Sequence, residues 1–159
     1  MIPLNLLAIP LSLMVALMLI MLPLPDWAQV YRPDWVALIL IYWSMALPKR
    51  VGLWVAFITG LFLDVTLSTL LGQHGLALII IIFINLNLYQ RVRVMTLSYQ
   101  ALYVLVLLLI NQLVVLWIEG ILQRDPPFMA FIGPALTGMM IWPWVFIVLR
   151  DIRRKANLR

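Results

Sequence analysis

Residues 51 to 75 read VGLWVAFITGLFLDVTLSTLLGQHG, and the stretch from Val51 to Leu70 carries a single charge, Asp64. About 20 mostly apolar residues cross the hydrocarbon core of a bilayer as a helix, so this stretch predicts a membrane span with one carboxylate in it. Along it, Gly52, Ala56, Gly60, Asp64, Ser68 and Gly72 fall at successive four-residue steps, which a helix lays out as one ridge. Every position on that ridge is small or ionisable. In lipid, apolar burial gives no drive between helices, and small residues mark where backbones pack in contact. The ridge reads as a close helix crossing or as the lining of a cavity. Both readings make this span central rather than lipid-facing.

Outward from this span, charges and prolines cut the chain into apolar stretches at about 4–25, 35–47, 51–70, 76–89, 96–118 and 128–149, with a basic tail at 150–159. The first ends in Pro23-Leu24-Pro25. It lacks the basic leading region and small-x-small site of a cleavable signal, so a permanent span is expected. The second covers only about 20 Å at 1.5 Å per residue. It crosses if its ends sit in the interface, where Trp35 and Trp43 would anchor it; a re-entrant segment is the alternative. A polar loop with Glu119, Arg124, Asp125, Pro126 and Pro127 separates the last two spans. Of 159 residues, 65% are hydrophobic, 11 are basic and 6 acidic, and the mean hydropathy is +1.09. A soluble domain is about half apolar and a quarter charged, which excludes a water-soluble globule. Six spans would use roughly 120 positions, leaving no length for a folded extramembrane domain. The chain has no cysteine, and so no disulfide, thiolate metal site or cysteine nucleophile. The expected fold is all-α: a polytopic membrane protein with six transmembrane helices in one compact bundle over residues 1–149.

Basic residues set the orientation. With six spans, one face receives Lys49, Arg50, Arg91, Arg93, Arg150, Arg153, Arg154, Lys155 and Arg159, and the other only Arg32 and Arg124. The positive-inside rule then puts both termini in the cytoplasm. A five-span layout that drops the second segment weakens this asymmetry.

Asp64 is the one clear intramembrane charge, about 20 Å from the cytoplasmic end of its span. An ionisable group at such depth is a functional-site candidate. Asn111 and Gln112 in the fifth span reach nearly the same depth, and their amides are expected to donate to it, as a structural lock or as part of a ligand, proton or partner site. His74 reads as an external turn residue, since no further metal ligands stand at helical spacing. Asn85 and Asn87 are expected to satisfy backbone or neighbouring helices, and Glu119 closes the fifth span at the interface. No phosphate-binding loop, H-E-x-x-H or G-x-S-x-G pattern occurs, so no catalytic residue, cofactor or metal is expected. The tail is expected to hold anionic lipid at the surface, docking of a cytoplasmic protein being the alternative.

Arg32-Pro-Asp-Trp35, Leu47-Pro-Lys-Arg-Val-Gly52, Gly60-Leu-Phe-Leu-Asp64, Leu71-Gly-Gln-His-Gly75 and Leu116-Trp-Ile-Glu-Gly120 together resemble the MreD family of bacterial rod shape-determining membrane proteins, over nearly the whole chain. The resemblance implies a non-enzymatic subunit of the inner-membrane machinery that builds the lateral cell wall. Its implied partners are MreC, the actin-like MreB, the glycosyltransferase RodA and its class B penicillin-binding transpeptidase. It also implies a fold similar to the six-helix substrate-binding components of vitamin transporters. That class is the alternative function, with Asp64, Asn111 and Gln112 around a small molecule. Gly52, Ala56, Gly60, Asp64, Asn111, Gln112 and Glu119 are the candidate structural or partner-contact residues.

Overall fold

The computed structural model describes residues 4 to 29, 31 to 123 and 128 to 156. The described residues form seven helices and no strand: α1 (Leu4–Met21), α2 (Asp26–Gln29), α3 (Trp35–Ala46), α4 (Leu53–Leu67), α5 (Gln73–Val92), α6 (Leu97–Ile121) and α7 (Phe128–Lys155). α2 is one turn in the first connection, and the other six overlap the six apolar stretches with different ends. The loop expected at Arg124 to Pro127 lies outside the described residues, as does Arg159. Three helices, Gln73–Val92, Leu97–Ile121 and Phe131–Lys155, are long and apolar enough to cross a membrane, while Leu7–Met21, Trp35–Ala46 and Leu53–Leu67 are shorter apolar helices.

The centre of the bundle is α3, not the glycine-ridged α4. Ten consecutive side chains of α3, Val36 through Met45, are buried, and it packs on α1, α5, α6 and α7. A short helix with protein on every side gains nothing from a polar face, which is why this segment is apolar all round. Trp43 anchors it from within: its indole Nε1 donates to Ser12 Oγ of α1 at 2.8 Å. α4 is peripheral. It buries Ala56, Thr59, Gly60, Leu63 and Asp64 and turns Trp54, Ile58, Phe62 and Val65 outward. Exposed Leu11, Met14 and Met18 on α1, Val106 and Trp117 on α6, and Met140 and Trp144 on α7 continue the same apolar exterior. A patch that extensive is foreign to a soluble monomer and suits contact with lipid.

Of the ridge residues of α4, Gly60 lies directly against the backbone of α5. A β-carbon on Gly60 would lie 2.3 Å from Gly75 Cα and 2.5 Å from its amide nitrogen. Both obstacles are backbone, so only glycine lets these two helices approach so closely. Gly52 has open space around it, and the ridge ends at Ser68, which takes the left-handed conformation that terminates α4.

Candidate functional site: the polar end of the bundle

The ends of α1 and α4, the starts of α3, α5 and α7, and Gln112 of α6 gather around one small cavity of about 130 Å³. Consecutive long helices therefore run in opposite directions. Arg32, Asp34, His74 and Gln112 supply its polar lining, with Leu63 and Pro134 among the apolar walls.

Asp64 sits in the last turn of α4 with no exposed surface, because α4 stops at Leu67 and the chain folds back over it. Its Oδ1 accepts from Thr69 Oγ1 at 2.8 Å, from the His74 amide at 3.0 Å and from His74 Nδ1 at 2.7 Å. Its Oδ2 accepts from the Gly72 amide at 2.8 Å. The first amides of a helix lack intrahelical acceptors, and an anion there is favoured by the helix dipole. One buried carboxylate thus fixes the connection and caps α5, which begins at Gln73, three residues before the apolar stretch does. The φ of +96° at Gly72 belongs to a conformation that glycine adopts without strain.

The expected pairing of Asp64 with Asn111 or Gln112 is not the one formed. Asn111 Nδ2 donates instead to Asp34 Oδ2 at 3.0 Å, while Gln112 lines the cavity. The reason is local: the turn supplies Asp64 with all its donors, and Asp34 is held at the same end of the bundle as N-cap of α3, accepting from Ala37 N at 3.2 Å. Burial pushes the Asp34 carboxyl up from its ordinary value, against the opposing effects of His74 and of the bonds from Ala37 and Asn111. His74 is likewise not a free turn residue; its side chain is 13% exposed and bonded to Asp64.

Further contacts close this end. Arg32 donates to the carbonyls of Ile20 at 2.6 Å and Leu22 at 2.7 Å, satisfying the orphan acceptors that end α1. Gln73 Nε2 donates to Glu119 Oε1 at 2.9 Å, tying the start of α5 to the end of α6. Of the other residues singled out in the sequence, Ala56 is buried and Gly52 is the N-cap of α4. Arg32, Asp34, Thr69 and Gln73 are not among the candidate residues of the sequence, although Arg32, Asp34 and Gln73 stand in stretches that carry the family resemblance. An Asp immediately before an apolar run is an N-cap signal, and it marks Asp34; for Thr69 and Gln73 the sequence carries no comparable mark.

In the other half of the bundle, buried Asn85 of α5 donates to Ile41 O at 3.0 Å and to Ser44 Oγ, and accepts from Tyr103 OH at 2.9 Å. This staples α3, α5 and α6. Among the described residues no group of three or more His, Asp or Glu could hold a metal ion.

Helices throughout the described residues, an apolar exterior and polar side chains that tie helix ends to one another define a polytopic membrane protein. The family model for the rod shape-determining protein MreD matches residues 2–152. The curated Rod shape-determining protein MreD of Haemophilus influenzae is 34% identical over 145 residues, covering 91% of this chain and 89% of that one. The chain belongs to the MreD family of rod shape-determining proteins. No solved structure matches it.

Proposed function

We propose that this chain is a non-enzymatic scaffold of the cell-wall elongation machinery in the bacterial inner membrane, holding MreC, MreB, RodA and the class B transpeptidase in working geometry. The observation that carries the reading is the use of Asp64: its carboxylate is fully engaged within the α4–α5 turn and serves to hold helix ends. Nine basic residues on one face against two on the other, with alternating helix directions, support six crossings and cytoplasmic termini. The short α3 then crosses inside the protein, where neighbouring helices rather than lipid surround it. Small-molecule pockets usually measure about 300 to 1,000 Å³, and the polar cavity, at about 130 Å³, is small for the vitamin-binding alternative.

Capture of the tagged chain from membranes in mild detergent tests this reading. Recovery of MreC, RodA and the transpeptidase supports it. Recovery of a transport ATPase without any of these proteins contradicts it.

A further inference from the structure

The opposite end of the bundle carries a second pocket, of about 120 Å³, between the last turns of α3, the α5–α6 connection and α7. Tyr42, Gln100, Phe146, Arg93 and Arg153 line it. Two of these hold buried polar atoms without a partner: the Tyr42 hydroxyl and Gln100 Oε1, in side chains that are each 2% exposed. The amide of Gln100 is fixed, because its Nε2 donates to Val92 O at 3.0 Å and Met95 O at 3.4 Å; the oxygen is the atom left over. Arg93 lies against the Tyr89 ring, its guanidinium carbon 5.8 Å from the ring centroid. Among the described residues no carboxylate lines the pocket.

A buried polar atom without a partner costs stability, and here one donor-capable hydroxyl and one acceptor share a pocket with two guanidinium groups. The matching ligand presents anionic oxygens and a hydroxyl together. We propose that this pocket binds the phosphoglycerol headgroup of an anionic phospholipid: phosphate oxygens accept from Arg93, Arg153 and the Tyr42 hydroxyl, and a glycerol hydroxyl donates to Gln100 Oε1. The level is right for a headgroup, since α3 ends at Ala46 and Pro48-Lys49-Arg50 follows. A choline headgroup has no hydrogen to give Gln100, and an ethanolamine ammonium would be set beside two arginines. Bidentate arginine contacts to phosphate are among the stronger hydrogen bonds of proteins. The inference needs only that the helices lie in a bilayer and is independent of the scaffolding reading.

The test is thermal unfolding of the delipidated full chain in neutral detergent, with added dioleoylphosphatidylglycerol, dioleoylphosphatidylcholine or soluble glycerol 3-phosphate. Phosphatidylglycerol should raise the midpoint and phosphatidylcholine should not. Arg93→Gln/Arg153→Gln should need roughly tenfold more phosphatidylglycerol for the same shift, as expected for lost charge-assisted bonds. The charge-matched Lys49→Gln/Arg154→Gln, outside the pocket, should respond as wild type. Tyr42→Phe supplies the sign test: it keeps the ring, deletes the orphan hydroxyl, and should leave the lipid-free midpoint equal or higher while weakening the lipid response. A full shift from glycerol 3-phosphate supports the headgroup chemistry and assigns its source to a soluble phosphate ester. Equal responses to the two lipids, an undiminished response in Arg93→Gln/Arg153→Gln, or equal losses in both double variants would overturn the site.

Discussion

Asp64→Leu should destabilise the bundle strongly, and Asp64→Asn should fall between it and wild type. The carboxylate serves four donors, three on Oδ1 and the Gly72 amide on Oδ2. Leucine removes every acceptor at once, leaving the His74 ring and two backbone amides facing apolar surface. Removing one partner of a buried charged network costs about 3 to 5 kcal/mol. Asparagine keeps one oxygen for the three-donor cluster but turns its own amide nitrogen toward Gly72 N–H, donor against donor. One stranded buried amide costs about 1 to 3 kcal/mol, and loss of the negative charge at the α5 N-terminus adds about 0.3 to 1 kcal/mol. The assay is intrinsic fluorescence of the seven tryptophans during heating in mild detergent, at matched concentration. Wild-type midpoints for Asp64→Leu would refute the reasoning. Equal, large losses in both variants would mean that the negative charge, rather than the number of acceptor atoms, holds the turn.

Gly60→Ala places a methyl group 2.3 Å from Gly75 Cα and should cost about 1 to 3 kcal/mol by overpacking, whereas Gly120→Ala, with open space around it, should be neutral or slightly stabilising; the two unfolding midpoints check this. Asn85→Leu takes the acceptor from the partly buried Tyr103 hydroxyl and the donor from buried Ile41 O and should cost about 1 to 3 kcal/mol, read by the same assay. Asp34 gives a pH signature: its folded value is raised by burial, so its contribution to stability is fully present below its ordinary value and is lost as pH climbs through the folded value. Acidification from neutral should therefore help wild type more than Asp34→Asn, and identical pH profiles would contradict the assignment.

The helical class and the positions of the apolar stretches were legible because a bilayer demands long apolar segments and charges interrupt them. The centre of the bundle was not. In lipid, a residue facing a neighbouring helix and one facing an acyl chain are both apolar, so the pattern that separates core from surface in a soluble protein is silent here. That is why Trp35–Ala46 reads as a marginal span while its side chains are the most buried. The four-residue spacing of Ala56, Gly60 and Asp64 could be read because small residues differ from both lipid-facing and core-filling ones. Asp64 was legible as a candidate, but its partners were not. Depth counted along an ideal helix ignores Ser68, whose left-handed conformation ends α4 early and brings Gly72 and His74 back over the carboxylate. Asn111 was matched to the carboxylate at its own depth, yet Asp34, drawn into the bundle end as a helix cap, reaches it instead.

Cell shape is the most direct measure of the scaffold reading. In a rod-shaped bacterium depleted of its own MreD, this chain should restore cell width, and Asp64→Asn, Asp64→Leu and Gly60→Ala should lose that ability in the order in which they lose stability and captured partners. A variant of Asp64 that abolishes rod shape while keeping wild-type abundance, unfolding midpoint and partner recovery would contradict the account, because the carboxylate would then be doing chemistry that a scaffold does not need.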